Sequence, residues 1–239
     1  MSIKEEHHNN NENSDFEDNI AELKKKYKDS VKYKKKLKNL LRKKRREKRV
    51  QYINSLPIIR FLSKIDDKLF LRVFKDNRKG PIKSFMKFMS RCGDGYVWPL
   101  IYFIFYMFRI NYSILYFTRA VVAALLSVLL FLNIKNFFSR VRPYKKHSKI
   151  PIMYPPDKHS FPSGHTMVSF AISFSFGTYS IYAGSLFYTI AFLIAFSRVY
   201  VGLHYPFDVF GGIIFGTIVG FLTNLLFFYI TGLPVVGHL

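Results

Sequence analysis

The sequence is poor in cysteine throughout and poor in acidic residues over its C-terminal part. Cys92 is the only cysteine among 239 residues, so no disulfide can form within the chain. Between Gly95 and Leu239 the only acids are Asp157 and Asp208. Because Mg²⁺ or a pair of metal ions requires several carboxylate ligands, this scarcity argues against a metal-dependent hydrolase. We expect no metal and no organic cofactor.

The charges that are present lie mainly in the first part of the chain. Residues 1–94 contain 40 charged residues, whereas residues 95–239 contain 12. The formal net charge of +22 and the mean hydropathy of +0.06 therefore combine a highly charged segment with a strongly apolar one. This composition excludes a single soluble globular domain. We predict an all-α protein, a multi-pass transmembrane helical bundle of about five spans. Amphipathic interfacial helices and a basic, partly disordered N-terminal segment precede it.

Composition divides the chain into four segments. Residues 1–20 carry six acids and no apolar run, a pattern that predicts a disordered tail and is not that of a secretory signal peptide. A polybasic segment follows over 21–50, and apolar and charged residues alternate at helical spacing over 51–94, as expected of helices that lie in the membrane interface. Residues 95–239 form the predicted transmembrane domain.

The polybasic segment is open to two interpretations. It contains 16 Lys or Arg residues and three acids. Such a segment is either a solvated, partly helical tail or a patch that binds anionic lipid head groups, where each cation near the surface contributes about 1 kcal/mol. It has no recognition motif for nucleic acid, so we expect no nucleic-acid partner.

Apolar runs predict the transmembrane spans. Two helices joined by a turn near residues 180–184 explain the 32 uncharged residues between His165 and Arg198 better than one long helix does. Three glycines at four-residue spacing in the last span, Gly212, Gly216 and Gly220, predict close helix packing. The five predicted spans are Tyr96–Phe108, Ser113–Ile134, a third that begins at His165, a fourth that ends at Arg198, and Asp208–Ile230.

Cations and histidines cluster near the ends of these spans. Because two crossings separate His165 from His204, both histidines lie on one side of the membrane, together with the loop after the second span. Such a set of side chains is suited to binding an anion. Its members are Lys135, Arg140, Arg142, His165, Arg198, His204 and Asp208.

Three motifs in these positions resemble those of a known family. Lys135 with Arg142 and Pro143 reads K-x6-R-P, residues 162–165 read PSGH, and residues 197–208 read S-R-x5-H-x3-D. In order and spacing they resemble the type 2 phosphatidic acid phosphatase superfamily, metal-independent lipid phosphatases that share a site with vanadium haloperoxidases. The resemblance covers about residues 81–230.

The resemblance implies a role for each motif residue. It implies that Lys135, Arg142 and Arg198 bind the non-bridging phosphoryl oxygens, which arginine forks can contact in pairs. It also implies that Ser163 caps the third span and that, with the amide of Gly164, it donates to the phosphate at a positive helix end.

The remaining three motif residues are implied to be catalytic. His204 is the nucleophile that forms a phosphohistidine, Asp208 holds its tautomer, and His165 protonates the leaving oxygen and then activates water. Outside the motifs, we interpret Arg140 as a surface or head-group charge and expect Asp157 and Lys158 to shape the mouth of the site. Arg119, a cation within a span, is a weaker functional candidate.

The expected activity is hydrolysis of lipid phosphate monoesters or diphosphates. The residues around PSGH and the basic head look most like the polyisoprenoid diphosphate phosphatase branch, with phosphatidate-type lipids as further candidates. An excess of Lys and Arg on the site's side of the membrane predicts a cytosolic N-terminus and active site. Alternatives are a catalytically silent scaffold that tethers lipids through its basic head, a transporter and a haloperoxidase. Oligomeric state is not encoded in these patterns.

Overall fold

The computed structural model describes residues 18–22, 24–25, 31–74, 80–95, 97–107, 113–147, 151–155, 157–178 and 181–232. Residues 1–17 of the predicted disordered tail lie outside the described residues. So do Tyr96 and Phe108, the ends of the predicted first span.

Helices account for the regular structure in the described ranges, as the sequence predicts. The chain divides into two compact units, residues 1–55 and residues 56–239, and only α1 among the numbered helices belongs to the first. The helices are α1 (Val31–Ser55), α2 (Pro57–Val73), α3 (Pro81–Cys92), α4 (Val97–Met107), α5 (Ser113–Phe138), α6 (Pro143–Lys146), α7 (Gly164–Gly177), α8 (Ile181–Tyr200) and α9 (Pro206–Thr231).

Helix α7 is the centre of the second unit. It packs against α5, α8 and α9, and most of its 14 residues are buried. The glycines of α9 permit this packing, since a Cβ atom built on Gly216 would lie 2.3 Å from the carbonyl oxygen of Met167 and one on Gly212 would lie 2.8 Å from that of Ser163. The predicted role of this glycine row in helix packing is therefore confirmed.

Within the described residues, three stretches are long and apolar enough to cross a membrane: Ile114–Lys146, Tyr182–Tyr200 and Pro206–Thr231. They correspond to the second, fourth and fifth predicted spans. The other two predicted spans are short helices, α4 with 11 residues and α7 with 14. A 14-residue helix is about 21 Å long, less than the roughly 30 Å of a hydrocarbon core. The chain is a multi-pass membrane protein, and the number of five crossings stays a prediction.

Helices α2 and α3 pack against the bundle. Helix α2 ends at Val73, and Gly80, with a φ of +95°, precedes Pro81 at the start of α3. Helix α3 packs on α8, and α2 contacts both α8 and α9. Phe61 of α2 and Phe88 of α3 remain exposed, as expected of helices that lie at a membrane surface.

A buried ionic cluster fixes α2 to the start of α9. The guanidinium of Arg140 donates to Asp208 and to Asp66 of α2, each at 2.6 Å, and both carboxylates are fully buried. Asp66 also accepts the backbone N–H of Phe207 at 2.9 Å. Burial raises the pKa of Asp66, and the charge of Arg140 opposes this effect. The interpretation of Arg140 as a surface or head-group charge is therefore wrong, because two distant acids of the chain surround it.

We expect Arg140→Gln to destabilise the second unit strongly. The substitution leaves two buried carboxylates without their cation, and breaking a buried ion pair from one side costs about 3–5 kcal/mol. The measurement is the unfolding midpoint of purified protein in detergent micelles.

A matched control is Lys146→Gln. Lys146 donates to Asp67 at the same 2.6 Å, but its side chain is 45% exposed. An exposed pair contributes about 0–1 kcal/mol, so this variant should unfold close to wild type. Equal destabilisation of the two variants would show that burial of the Arg140 cluster does not determine its contribution.

Candidate active site

The residues of the three motifs lie at helix ends and in the short connections between helices. His165 is the second residue of α7, Arg198 lies near the end of α8, and His204 occupies the connection to α9. Pro206 is the first residue of α9, and the carboxylate of Asp208 reaches back to accept the N–H of Tyr205 at 2.8 Å. Local capping thus fixes where Asp208 lies relative to His204.

The imidazole of His204 is buried between a cation and a carboxylate. Its Nε2 lies 3.2 Å from Nη1 of Arg142, and its Nδ1 lies 3.6 Å from Oδ2 of Asp208. Because the guanidinium only donates, Nε2 is the acceptor and Nδ1 carries the proton on the side of Asp208. Burial and the charge of Arg142 lower the pKa of His204 well below its usual 6.5. The ring is therefore neutral at neutral pH, with a lone pair on Nε2.

Asp157 lies within the cation cluster. Its two carboxylate oxygens accept from Lys135 at 2.8 Å and from Arg142 at 2.6 Å. Burial acts to raise the pKa of Asp157, but Lys135 and Arg142 outweigh it and lower that pKa to about 2. The expectation that Asp157 shapes the mouth of the site stays a prediction, and the structure adds that Asp157 neutralises two of the predicted phosphate-binding cations directly.

Arg142 is held in place from several directions. Besides Asp157 and His204, its Nη1 donates to the carbonyl oxygen of Leu203 at 2.8 Å, and its side chain is almost fully buried. A guanidinium fixed in this way keeps its orientation toward Nε2 of His204.

A cavity of about 300 Å³ opens beside the two remaining charged motif residues. Arg198 donates from Nη1 to the hydroxyl of Ser90 at 2.6 Å, and its buried Nε has no hydrogen-bond partner. Nε2 of His165 lies 2.6 Å from the carboxylate of Asp94. The residues that line the cavity are Asp94, Met153, Tyr154, Pro155, His165, Arg198 and Leu203.

Ser163 and Gly164 differ from expectation in their contacts. Ser163 occupies the N-cap position of α7, but its side chain makes no capping hydrogen bond and instead accepts from the hydroxyl of Thr166 at 2.9 Å. Its backbone N–H donates to the carbonyl oxygen of Asp208 at 2.9 Å. A Cβ atom on Gly164 would lie 3.2 Å from the ring of Phe131, so this glycine is needed at least for packing against α5.

One contact network therefore joins Lys135, Arg142, His204 and Asp208. The adjoining cavity is lined by His165 and Arg198. Asp66 and Asp94 join the site from α2 and from the turn after α3, and the sequence analysis did not predict either. Both lie among many charged residues, so no sequence signal distinguishes them as partners of the site. Arg119 is not part of the site, because it precedes Lys135 by about 24 Å along α5.

Arg119 is nevertheless fully buried. Its guanidinium has no hydrogen-bond partner among the residues that the structure describes, and it lies 5.3 Å from the ring centroid of Tyr116 and 5.7 Å from that of Phe227. This burial places Arg119 in the interior of the bundle.

The chemistry of this site is that of anion binding beside a neutral imidazole. Its buried guanidinium and ammonium groups can contact several oxygens of one anion, and Nε2 of His204 is a potential nucleophile among them. Among the residues that the structure describes, no group of three or more His, Cys, Asp or Glu side chains could hold a metal ion.

Comparisons with known proteins agree with this description. Residues 115–231 match the PAP2 superfamily. The chain is 34% identical to YbjG of Escherichia coli over 100 residues, which are 41% of this chain and 50% of that protein. It is 26% identical over 152 residues to an undecaprenyl-diphosphatase of Sulfolobus acidocaldarius, covering 62% of this chain and 71% of that one.

A solved structure shares the fold. The crystal structure of Aquifex aeolicus LpxE aligns with a TM-score of 0.56 and 28% identity, covering 65% of this chain and 92% of that one. The match to YbjG spans about half of that relative's length. The three complete motifs, the matched segment and the shared helical fold together support the assignment of this chain to the PAP2 superfamily.

Proposed function

We propose that this protein is a membrane lipid phosphatase that hydrolyses phosphate monoesters or diphosphates of lipids without a metal ion. The observation that carries the proposal is the buried, neutral His204, whose Nε2 faces Arg142 within a cluster of cations. A nucleophile beside fixed cations is the arrangement that phosphoryl transfer through a covalent intermediate requires.

In this proposal three cations bind the phosphoryl group. Lys135 and Arg142 are close enough to share one carboxylate, Asp157, so they can equally share a phosphate. Arg198 contributes from the adjoining cavity, where its Nε has no other acceptor. Ser163 and the amide of Gly164 stand at the N-terminal end of α7, where a helix favours an anion.

The reaction then has two steps. Nε2 of His204 attacks phosphorus, and the positive charge that develops on its ring is stabilised by Asp208 on the Nδ1 side. His165 gives a proton to the leaving oxygen, and in the second step it takes a proton from the water that cleaves the phosphohistidine.

Asp157 must give way for phosphate to bind. Its carboxylate occupies the nitrogen atoms of Lys135 and Arg142 that a phosphoryl group would contact. We therefore propose that substrate exchanges with Asp157 and that this exchange keeps the buried cations neutralised between reaction cycles.

The substrate class is proposed from the site's surroundings and from one relative. The relative from Sulfolobus acidocaldarius is an undecaprenyl-diphosphatase, which supports isoprenoid or polyprenyl diphosphates as substrates, with phosphatidate-like lipids as a second choice. Large apolar side chains such as Leu129 of α5 and Phe221 of α9 are exposed on the bundle, so the lipid tail can remain in the bilayer.

We propose further that the N-terminus and the active site face the cytosol. Lys and Arg residues are concentrated in the front segment and in the loops beside the site, which the positive-inside rule assigns to the cytosolic side. Helix α1 is strongly basic and its side chains are largely exposed, which supports binding of residues 21–50 to anionic lipid head groups.

The first test is phosphate release in the presence of EDTA. Detergent-purified protein is given farnesyl diphosphate, a long polyprenyl diphosphate and phosphatidate. We expect wild type to release phosphate in spite of the chelator and His204→Ala to lose at least about 10³-fold, because the nucleophile is absent.

The control variant is His147→Ala, a histidine that pairs with Asp67 outside the proposed catalytic set. It should retain most of the activity. Well-folded wild-type protein that releases phosphate from none of the three lipids would instead favour the scaffold alternative.

Asp157→Asn tests the exchange of carboxylate for phosphate. Removing the competing negative charge should strengthen inhibition by inorganic phosphate by about tenfold, equivalent to about 1.4 kcal/mol. Asp67→Asn makes the same chemical change beside Lys146 and should leave the inhibition constant unaltered. Unchanged or weaker inhibition in Asp157→Asn would rule out the exchange.

The membrane placement is tested with single cysteines in a Cys92→Ser background. Ser14→Cys should resist a membrane-impermeant maleimide added to intact cells, whereas His238→Cys should react, since five crossings put the termini on opposite sides. A peptide of residues 21–50 should bind vesicles that contain anionic lipid and not neutral ones. Labelling of Ser14→Cys in intact cells would reverse the proposed orientation.

A further inference from the structure

The turn at residues 93–95, between α3 and α4, lies directly against the ring of His165. Oδ1 of Asp94 is 2.6 Å from Nε2 of that ring. A Cβ atom built on Gly93 would lie 2.6 Å from Cδ2 of His165, so the turn can approach only because this position lacks a side chain. Asp94 belongs to none of the three motifs, and it precedes the segment that matches the family.

The contact assigns different tasks to the two ring nitrogens. A carboxylate only accepts, so Nε2 of His165 must carry a proton and donate it to Asp94. Nδ1 makes no hydrogen bond to any residue that the structure describes. Nδ1 is therefore the nitrogen that can exchange a proton with a substrate. The hydrogen bond from His165 lowers the pKa of Asp94, so this carboxylate is ionised at neutral pH.

We propose that Asp94 is a positioning residue for His165, and that it is required most when the leaving group is an alcohol. The inference rests on the proposed phosphatase function. Asp94 holds the Nε2–H, fixes the plane of the ring beside the cavity, and compensates the positive charge that the ring carries while Nδ1 is also protonated. The relation resembles that of an acid that orients a catalytic histidine in other enzymes.

The proton balance can be written for both steps. In the first, the Nε2–P bond forms at His204, the bond from phosphorus to the leaving oxygen breaks, and that oxygen keeps the electron pair and takes the Nδ1 proton of His165. In the second, water gives a proton to Nδ1 of His165 as its oxygen bonds to phosphorus, and the electron pair of the N–P bond returns to His204. The Nε2–H of His165 stays with Asp94 throughout.

The leaving group determines how much this proton matters. A lipid alcohol that leaves as an alkoxide is a strong base, so its departure needs a proton donor in the transition state. A lipid monophosphate that leaves from a diphosphate is already a stable anion and needs much less assistance. Farnesyl phosphate and farnesyl diphosphate have the same tail and differ in this property.

The experiment compares phosphate release from these two substrates by wild type, Asp94→Ala and Asp94→Asn. We expect Asp94→Ala to lower kcat with farnesyl phosphate by about 10²-fold and kcat with farnesyl diphosphate by less than about threefold. Asp94→Asn keeps an acceptor for Nε2 without the charge and should lie between Asp94→Ala and wild type.

Two controls separate positioning from folding. Arg91→Ala removes a charge from the last turn of α3, next to the 93–95 turn, and leaves the contact of Asp94 with the His165 ring in place, so it should keep the wild-type ratio of the two rates. Asp94→Glu restores a carboxylate and should recover part of the activity with farnesyl phosphate. Unfolding midpoints in detergent are measured for each variant, because a purely structural defect would reduce both rates by the same factor.

The outcomes are distinct from those that test the proposed function. Wild type that acts on neither substrate contradicts the phosphatase proposal itself. Wild type that acts on the diphosphate alone, equal losses on both substrates, or no loss on farnesyl phosphate would overturn the role of Asp94 and leave the phosphatase proposal intact. If wild type acts on farnesyl phosphate alone, a decrease of kcat smaller than about tenfold in Asp94→Ala overturns the proposed role of Asp94.

Discussion

Compensation of buried charge is the constraint on which the rest of this structure depends. Arg140 lies between Asp66 and Asp208, and each carboxylate accepts at 2.6 Å with no exposure to solvent. A buried carboxylate without its cation would be several kcal/mol less stable, so α2, the loop after α5 and the start of α9 must stay together. The position of Asp208 beside His204 follows from that requirement, because one oxygen of Asp208 accepts from Arg140 and the other faces the imidazole.

The same constraint explains how the phosphate-binding cations can be buried. Lys135 and Arg142 share Asp157, which stays ionised because these cations lower its pKa to about 2. A phosphoryl dianion brings more charge and more acceptor oxygens than one carboxylate, so it can replace Asp157 without leaving the cations uncompensated. In the described part of the chain Arg198 donates to the hydroxyl of Ser90 alone, so its Nε can give the incoming anion a contact that Asp157 does not satisfy.

Sequence predicted the parts of the site that depend on local order along the chain. Pro206 marks the start of α9, and counting two crossings between His165 and His204 predicted that both lie on one side. In the structure His165 lines a cavity together with Leu203, the residue before His204. The lengths of the spans were less predictable. Helix α7 has only 14 residues, and because other helices surround it, packing against them determines its length. Asp66 and Asp94 were missed, since an acid among many charged residues looks solvated until the fold shows what it touches.

The charge count shows why the front segment belongs to the site. Residues 95–239 supply only two acids, Asp157 and Asp208, to four cations at the site, Lys135, Arg140, Arg142 and Arg198. Asp66 and Asp94 come from elements that precede the segment matching the family, and in the described part of the chain they bring the carboxylates to four. Because burying the cations of the site without nearby carboxylates would be costly, α2 and the turn after α3 complete the charge balance of the site.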